Sequence, residues 1–333
     1  MRWWGTVAGD RAVDRAGGGH GELARRLRRL ERVFALPALR AERLGAREVV
    51  HYYEQCFDAY RKYHSREGAV HMALNEGGRF DAAGYFAQPR LIEQGFGATP
   101  PARVLELAFG QGFNLAYLAE RHPGVHFHGV DLTPAHVRIT RERTAALPNV
   151  TLTLGDMQAL PLADARFDLV FCVEAFCYAL DTPRALAEAA RVLRPGGRLV
   201  LFDGYLPRPA AEMAADEALA VDLVARGMAL ERFQVLGEFL AAARDAGFTL
   251  AQMDTLDRQI LPSLARLERL TGAVIRWPWL GRRALARRSA ARGRNVLAGY
   301  LMRCTLEMGL LTYRHLVLEK TPATPAPPAP PLS

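Results

Sequence analysis

The stretch Val104-Leu105-Glu106-Leu107-Ala108-Phe109-Gly110-Gln111-Gly112-Phe113-Asn114 decides how the rest of the chain is read. An apolar strand carrying an acid runs into a glycine-containing turn that opens a helix, so backbone approaches a ligand closely where side chains would obstruct it. A dinucleotide fingerprint, G-x-G-x-x-G, needs a third glycine, and Leu115 occupies that position. What remains suits a cofactor without phosphates, whose cationic amino-acid end meets the Glu106 carboxylate.

Outward from this stretch, short apolar segments at 125–131, 150–154, 167–174 and 198–202 join 103–107 as strands, with helical segments between them. That alternation predicts a Rossmann-like, doubly wound α/β sheet, with its ligand at the carboxyl ends of the strands. Further strands are expected at 248–254 and 311–318, with helices at 22–34, 182–193, 210–229 and 233–246. The acids fall where such a fold needs them. Asp131, in Gly129-Val130-Asp131-Leu132, suits ribose hydroxyls, and Asp156 with Met157, after Gly155, suits an adenine amino group and ring face. Taken singly, each Asp also reads as a turn or N-cap residue.

With these residues placed, residues 100–203 resemble the class I S-adenosylmethionine-dependent methyltransferases. The resemblance rests on LELAFGQG, GVDL, GDMQALPLADARFDLVFCVEA and RVLRPGGRLVLFD, in that order. It implies Glu106, Ala108, Gly110 and Gly112 around the methionine part of S-adenosylmethionine, Asp131 and Leu132 at the nucleoside, and Asp156 with Met157 at the adenine. Ala108 stands where that family usually has Gly. The segment Glu174-Ala175-Phe176-Cys177-Tyr178-Ala179-Leu180-Asp181 is similar to the E-A-x-C-x-A-x-D segment of sterol C-methyltransferases, with Tyr178 in place of the usual His. The ending Leu311-Thr312-Tyr313-Arg314-His315-Leu316-Val317 resembles the wider sterol and tocopherol branch.

Glu174 suits either of two tasks: stabilising a carbocation left by an alkene acceptor, or serving as base to a hydroxyl. It also reads as a capping or cofactor-side acid. His71 reads as a base for heteroatom transfer or as a structural donor. Tyr52, Tyr53 and Tyr178 read as acceptor-pocket or core residues. Cys172 and Cys177, on or beside a buried strand, read as inert. The four cysteines show no C-x-x-C spacing, so neither a disulfide framework nor zinc is expected.

The domain reading is a basic arm at 1–48, a helical aromatic-rich cap at 49–99, and a methyltransferase domain at 100–320. Within that domain a helical lid insertion occupies 255–310, and a Pro-rich disordered tail follows at 321–333. Half of the residues are hydrophobic, enough for a sizeable core, and no apolar run is long enough to span a bilayer; a cytoplasmic protein is expected. Lys+Arg 43 against Asp+Glu 35 gives +8, nearly all of it Arg, which biased codon usage also accounts for. One cluster stands out: Arg276, Arg282, Arg283, Arg287, Arg288, Arg292 and Arg294 beside Trp277 and Trp279. Arg with Trp on a helical element suits peripheral contact with a membrane surface, or a solvated lid. Nucleic acid is the rival and is not expected, because no RNA-binding module accompanies it. The expected activity is methyl transfer to a small lipophilic acceptor of terpenoid, sterol-like or quinone type, at carbon rather than oxygen. An RNA or protein methyltransferase and a non-catalytic cofactor-binding protein remain the alternatives.

Overall fold

The computed structural model describes residues 16–286 and 290–321. The expected N-terminal arm before residue 16, the Pro-rich tail after residue 321, Arg287 and Arg288 lie outside the described residues. Three helices come first: α1 (Ala16–Glu31), α2 (Leu36–Ala41) and α3 (Ala46–Ala59), the last running into a π-helical turn at Tyr60–His64. After α4 (Ala87–Gln94), strands and helices alternate: β1 (Arg103–Leu107), α5 (Phe113–Arg121), β2 (His126–Asp131), α6 (Pro134–Arg143), β3 (Val150–Leu154), β4 (Phe167–Val173), α7 (Thr182–Val192) and β5 (Leu193–Tyr205). The chain closes with α8 (Ala215–Gly227), α9 (Leu236–Asp245), β6 (Phe248–Thr255), α10 (Asp257–Arg276), α11 (Pro278–Ala286), α12 (Ala290–Glu307) and β7 (Thr312–Lys320).

The seven strands form one sheet in the order β3-β2-β1-β4-β5-β7-β6. β1 to β5 pair in parallel, whereas β7 inserts antiparallel between β5 and β6. The order reverses between β1 and β4, which makes the ends of these two strands the ligand-binding position of a doubly wound sheet. Beyond Asp168 near its start, β4 is apolar on both faces, as a central strand covered by helices on each side must be.

Among the boundaries that differ from expectation, three do so for local reasons. The helix expected at 22–34 starts at Ala16, through a glycine run that its first turn tolerates, and Leu23, Leu27 and Leu30 bury one side of it with residues of α8 and α12. The boundary expected between 48 and 49 falls inside α3, because Glu48 reaches back to accept the Gly45 backbone N–H at 3.0 Å and starts the helix there. β5 begins at Leu193, five residues before the expected strand, pairing with Phe167 ahead of the irregularity between Phe167 and Leu169.

The insertion α10–α12 does not stand apart. α12 packs with α10, α8, α3 and α1, so the N-terminal helices and the insertion form one helical layer. A hydrogen bond from the Tyr52 hydroxyl on α3 to Asn295 Oδ1 on α12 pins the two together.

The start of α5 shows how closely this frame is fitted. Gly112 caps it at φ +70°, and a Cβ there would lie 2.3 Å from Thr140 Cγ2 on α6. Gly112→Ala is expected to destabilise the protein by about 2–3 kcal/mol, from left-handed backbone strain and overpacking together. Adding Thr140→Ala should restore the overpacking share but not the strain. Denaturant midpoints of the two single variants and the double variant test this, and additive losses would contradict it.

Candidate active site

The turn after β1 holds three residues in the left-handed region: Ala108 at φ +54°, Gly110 at +56° and Gly112 at +70°. Glycine adopts this conformation freely, whereas Ala108 carries a methyl group and strain of about 1–2 kcal/mol. Among the hydrogen bonds that hold the turn, the Ala108 N–H donates to Val130 O at 2.7 Å, and the Gly110 N–H donates to Asp131 Oδ2 at 2.8 Å. Asp131 Oδ1 accepts the Thr133 N–H at 2.8 Å and faces His136 Nδ1 at 3.3 Å.

Around this turn lies a cavity walled by Ala108, Gly110, Asp131, Leu132, Asp156 and Met157. Ala46, Val49 and Tyr53 of α3 cover it. Asp156 Oδ1 accepts the Gln158 N–H at 2.8 Å, a local turn that sets the carboxylate at the cavity wall. Gly112 is not part of that wall; its task is the close contact with Thr140.

Glu106 lies buried behind the turn. Its Oε1 accepts Asn114 Nδ2 at 3.2 Å, and its Oε2 is buried without a hydrogen-bond partner. Burial, with a smaller contribution from the Asp131 charge, raises its pKa to about 8. A buried carboxylate oxygen without a partner is what a ligand ammonium group satisfies. Glu106, expected to touch the cofactor, does not line the cavity, whereas Ala108, Gly110, Asp131, Leu132, Asp156 and Met157 do, a wall that would fit S-adenosylmethionine.

A second cavity, of about 530 Å³, lies between the cap and the insertion. Met72, Met228, Leu267, Val274 and Met302 give it an apolar lining, with Tyr60, Lys62, Tyr63 and His64 along one side. Val70, Tyr53, Glu174 and Tyr178 line both cavities, so these four residues stand where the two meet.

Glu174 follows β4 at φ +51°. Its Oε1 accepts the Met72 N–H at 2.9 Å and the Tyr313 hydroxyl at 2.8 Å. Burial raises its pKa to about 7 against the lowering by these two donors. Tyr313 is itself fixed at the start of β7, where its backbone N–H donates to Asp257 Oδ1 at 2.6 Å. The Tyr178 hydroxyl accepts from Tyr53 at 3.1 Å and donates to Met228 O at 2.7 Å, closing the aromatic side of the junction.

Two expected roles are corrected. Tyr52 is 2% exposed and packs with Cys56 and Ala229, in the core rather than on either cavity wall. His71 lines the first cavity but not the second, and a base must reach the acceptor. Its Nε2 lies 3.1 Å from Asn114 Oδ1, and burial lowers its pKa to about 4. It orients Asn114, and through it Glu106. Burial likewise raises the Cys172 and Cys177 thiols well above their ordinary range. Tyr60 and Tyr313 had not been singled out as site residues. Tyr60 lies seven positions from Tyr53, two helical turns on, and that spacing was the available signal.

Residues 105–201 match the family described as a methyltransferase domain. The demethylmenaquinone methyltransferase of Deinococcus radiodurans is 40% identical over 115 residues, 34% of this chain and 47% of that protein. The phthiotriol/phenolphthiotriol dimycocerosates methyltransferase of Mycobacterium leprae is 39% identical over 102 residues, 30% of this chain and 37% of that protein. The chain thus spans less than half the length of these relatives. The geranyl diphosphate C-methyltransferase of Streptomyces coelicolor, solved with S-adenosyl-L-homocysteine, superposes with a TM-score of 0.59 at 17% identity, covering 81% of this chain and 98% of that one. Residues 105–201 thus match a methyltransferase domain, and the solved structure shares the fold of the whole described sheet.

The raised pKa of Glu106 has a measurable consequence. The folded state holds this proton more tightly than the unfolded chain, so the ligand-free protein loses stability as pH rises from the ordinary value of 4.5 towards about 8. The buried His64 and His71, both lowered to about 4, act in the opposite sense below 6.5. The readout is therefore a difference: the Tm of Glu106→Gln should gain on that of the unsubstituted protein as pH rises through this window. Parallel Tm curves would contradict the burial of a strained carboxylate.

Proposed function

We propose that the protein transfers a methyl group from S-adenosylmethionine to a small, largely apolar acceptor of terpenoid, sterol-like or quinone type, at carbon rather than oxygen. The observation that carries this reading is the wall of Val70, Tyr53, Glu174 and Tyr178 shared by the two cavities. A donor in the first and an apolar acceptor in the second would meet there.

When bound, the cofactor supplies an electrophilic methyl group on a sulfonium. The chain's own part is alignment and exclusion of water: α3 covers the first cavity, and the apolar walls of the second hold the acceptor against the junction. Methylation of an alkene leaves positive charge on the acceptor. Glu174, Tyr53 and Tyr178 would stabilise that charge, and Glu174 would accept the proton whose loss completes the product.

Among the described residues, the histidine on the acceptor wall is not free to act as base, which leaves Glu174 as the group that would take the proton. His64 Nε2 lies 2.8 Å from His71 O, and burial lowers its pKa to about 4. The names of two relatives, a demethylmenaquinone and a phthiotriol/phenolphthiotriol dimycocerosates methyltransferase, support an acceptor of this class.

Asp131→Ala should abolish cofactor binding measured by calorimetry. Glu174→Gln should bind the cofactor normally yet lose turnover by about a hundredfold or more. Turnover of the unsubstituted enzyme should rise with pH through about 7, as the Glu174 carboxylate ionises. Normal turnover by Glu174→Gln would remove Glu174 from the mechanism.

A further inference from the structure

The second half of α10 presents one stripe to solvent. Arg269, Leu270, Ala273 and Arg276 are all exposed, at spacings of one, four and seven from the first, a single helical face, and exposed Trp277 follows at the helix end. α11 continues it with exposed Trp279, Arg282 and Arg283. Trp279 is 66% exposed, Trp277 55% and Leu270 45%, values that place large apolar side chains in water at an energetic cost.

The charge on this stripe is of one sign. No Asp or Glu occurs between Glu268 and Glu307. The acids at its borders are engaged elsewhere: Glu268 with Arg26 and Arg303, Glu42 with Arg294, and Glu307 with Arg303. Arg269, Arg276 and Arg283 have no carboxylate partner among the described residues. Arg282 donates through Nε to Arg32 O, a bond that leaves its positive charge unneutralised.

The stripe also borders the second cavity. Leu270 belongs to both, and Lys62 and Tyr63, exposed on the π-helical turn after α3, line the same cavity. Exposed Trp and Leu among arginines are the composition of a surface that sits at the headgroup level of a bilayer, its cations on lipid phosphates and its indoles in the interface.

We propose that this face of α10 and α11 docks on an anionic lipid bilayer, with Trp277, Trp279 and Leu270 seated in the interface. The mouth of the second cavity is thereby held against the phase in which an apolar acceptor is dissolved. That benefit rests on reading the second cavity as the acceptor site, but docking itself is measured without methyl transfer, so each can fail alone.

The test is co-sedimentation of the full chain with phosphatidylcholine vesicles, with and without about one quarter phosphatidylglycerol. Partition should be about tenfold or more greater on the anionic vesicles, and should fall steeply in about 0.5 M salt. Trp277→Ser with Trp279→Ser, and separately Arg276→Glu with Arg283→Glu, should each weaken it about tenfold or more, while binding of S-adenosylhomocysteine and the Tm stay unchanged. Equal partition into neutral and anionic vesicles, no partition, or variants that partition like the original would overturn the proposal. Binding of RNA without binding of vesicles would assign the stripe to nucleic acid and overturn it equally.

Discussion

The hydrogen bond from the Gly110 N–H to Asp131 Oδ2 is the constraint on which the site depends. It joins the turn after β1 to the end of β2, and it holds only while the backbone stays left-handed at Ala108, Gly110 and Gly112. The parallel register of β1 on β2 sets the distance this bond must cover, and the contact of Gly112 with Thr140 sets where α5 begins relative to α6. A carboxylate has about four acceptor sites, so Asp131 can hold its own loop and still present lone pairs to a ligand. The methyl group at Ala108 shows that the conformation is imposed by this network rather than chosen by the residue.

The same topology explains why catalytic interest concentrates after β4. β1 and β4 flank the switch point, so the residues following each strand converge on one crevice. Ala108 lines the first cavity from one side of that point, and Glu174 reaches both cavities from the other. Glu174 is held in a left-handed conformation, with one oxygen fixed by Met72 and Tyr313. Strain held in place by several partners at a cavity wall is consistent with a positioned functional group. The helical layer then closes the site: α3 covers the first cavity, and α10 with α12 walls the second.

What could be read from the chain divides along the range of the interactions. The strand-turn-helix at 103–114 and the acids at 131 and 156 depend on spacing within single loops, so they were legible. Tyr52 and Tyr53 were not separable, because neighbours on a helix point about 100° apart and only the docking of α3 on α12 decides which one faces a cavity. Tyr313 meets Glu174 across 139 positions, through the antiparallel insertion of β7 that strand patterns alone do not order. Of two glycines in one motif, Gly110 lines the cavity and Gly112 packs on Thr140, a distinction made by tertiary contact rather than by composition.

The most direct measurement is mass spectrometry of lipid and small-molecule extracts incubated with the pure protein and either ordinary or methyl-deuterated S-adenosylmethionine. A lipophilic product that gains the labelled methyl group, bound to carbon on fragmentation, is the predicted result. Label appearing in RNA or protein while no small molecule gains it would contradict the two-cavity account.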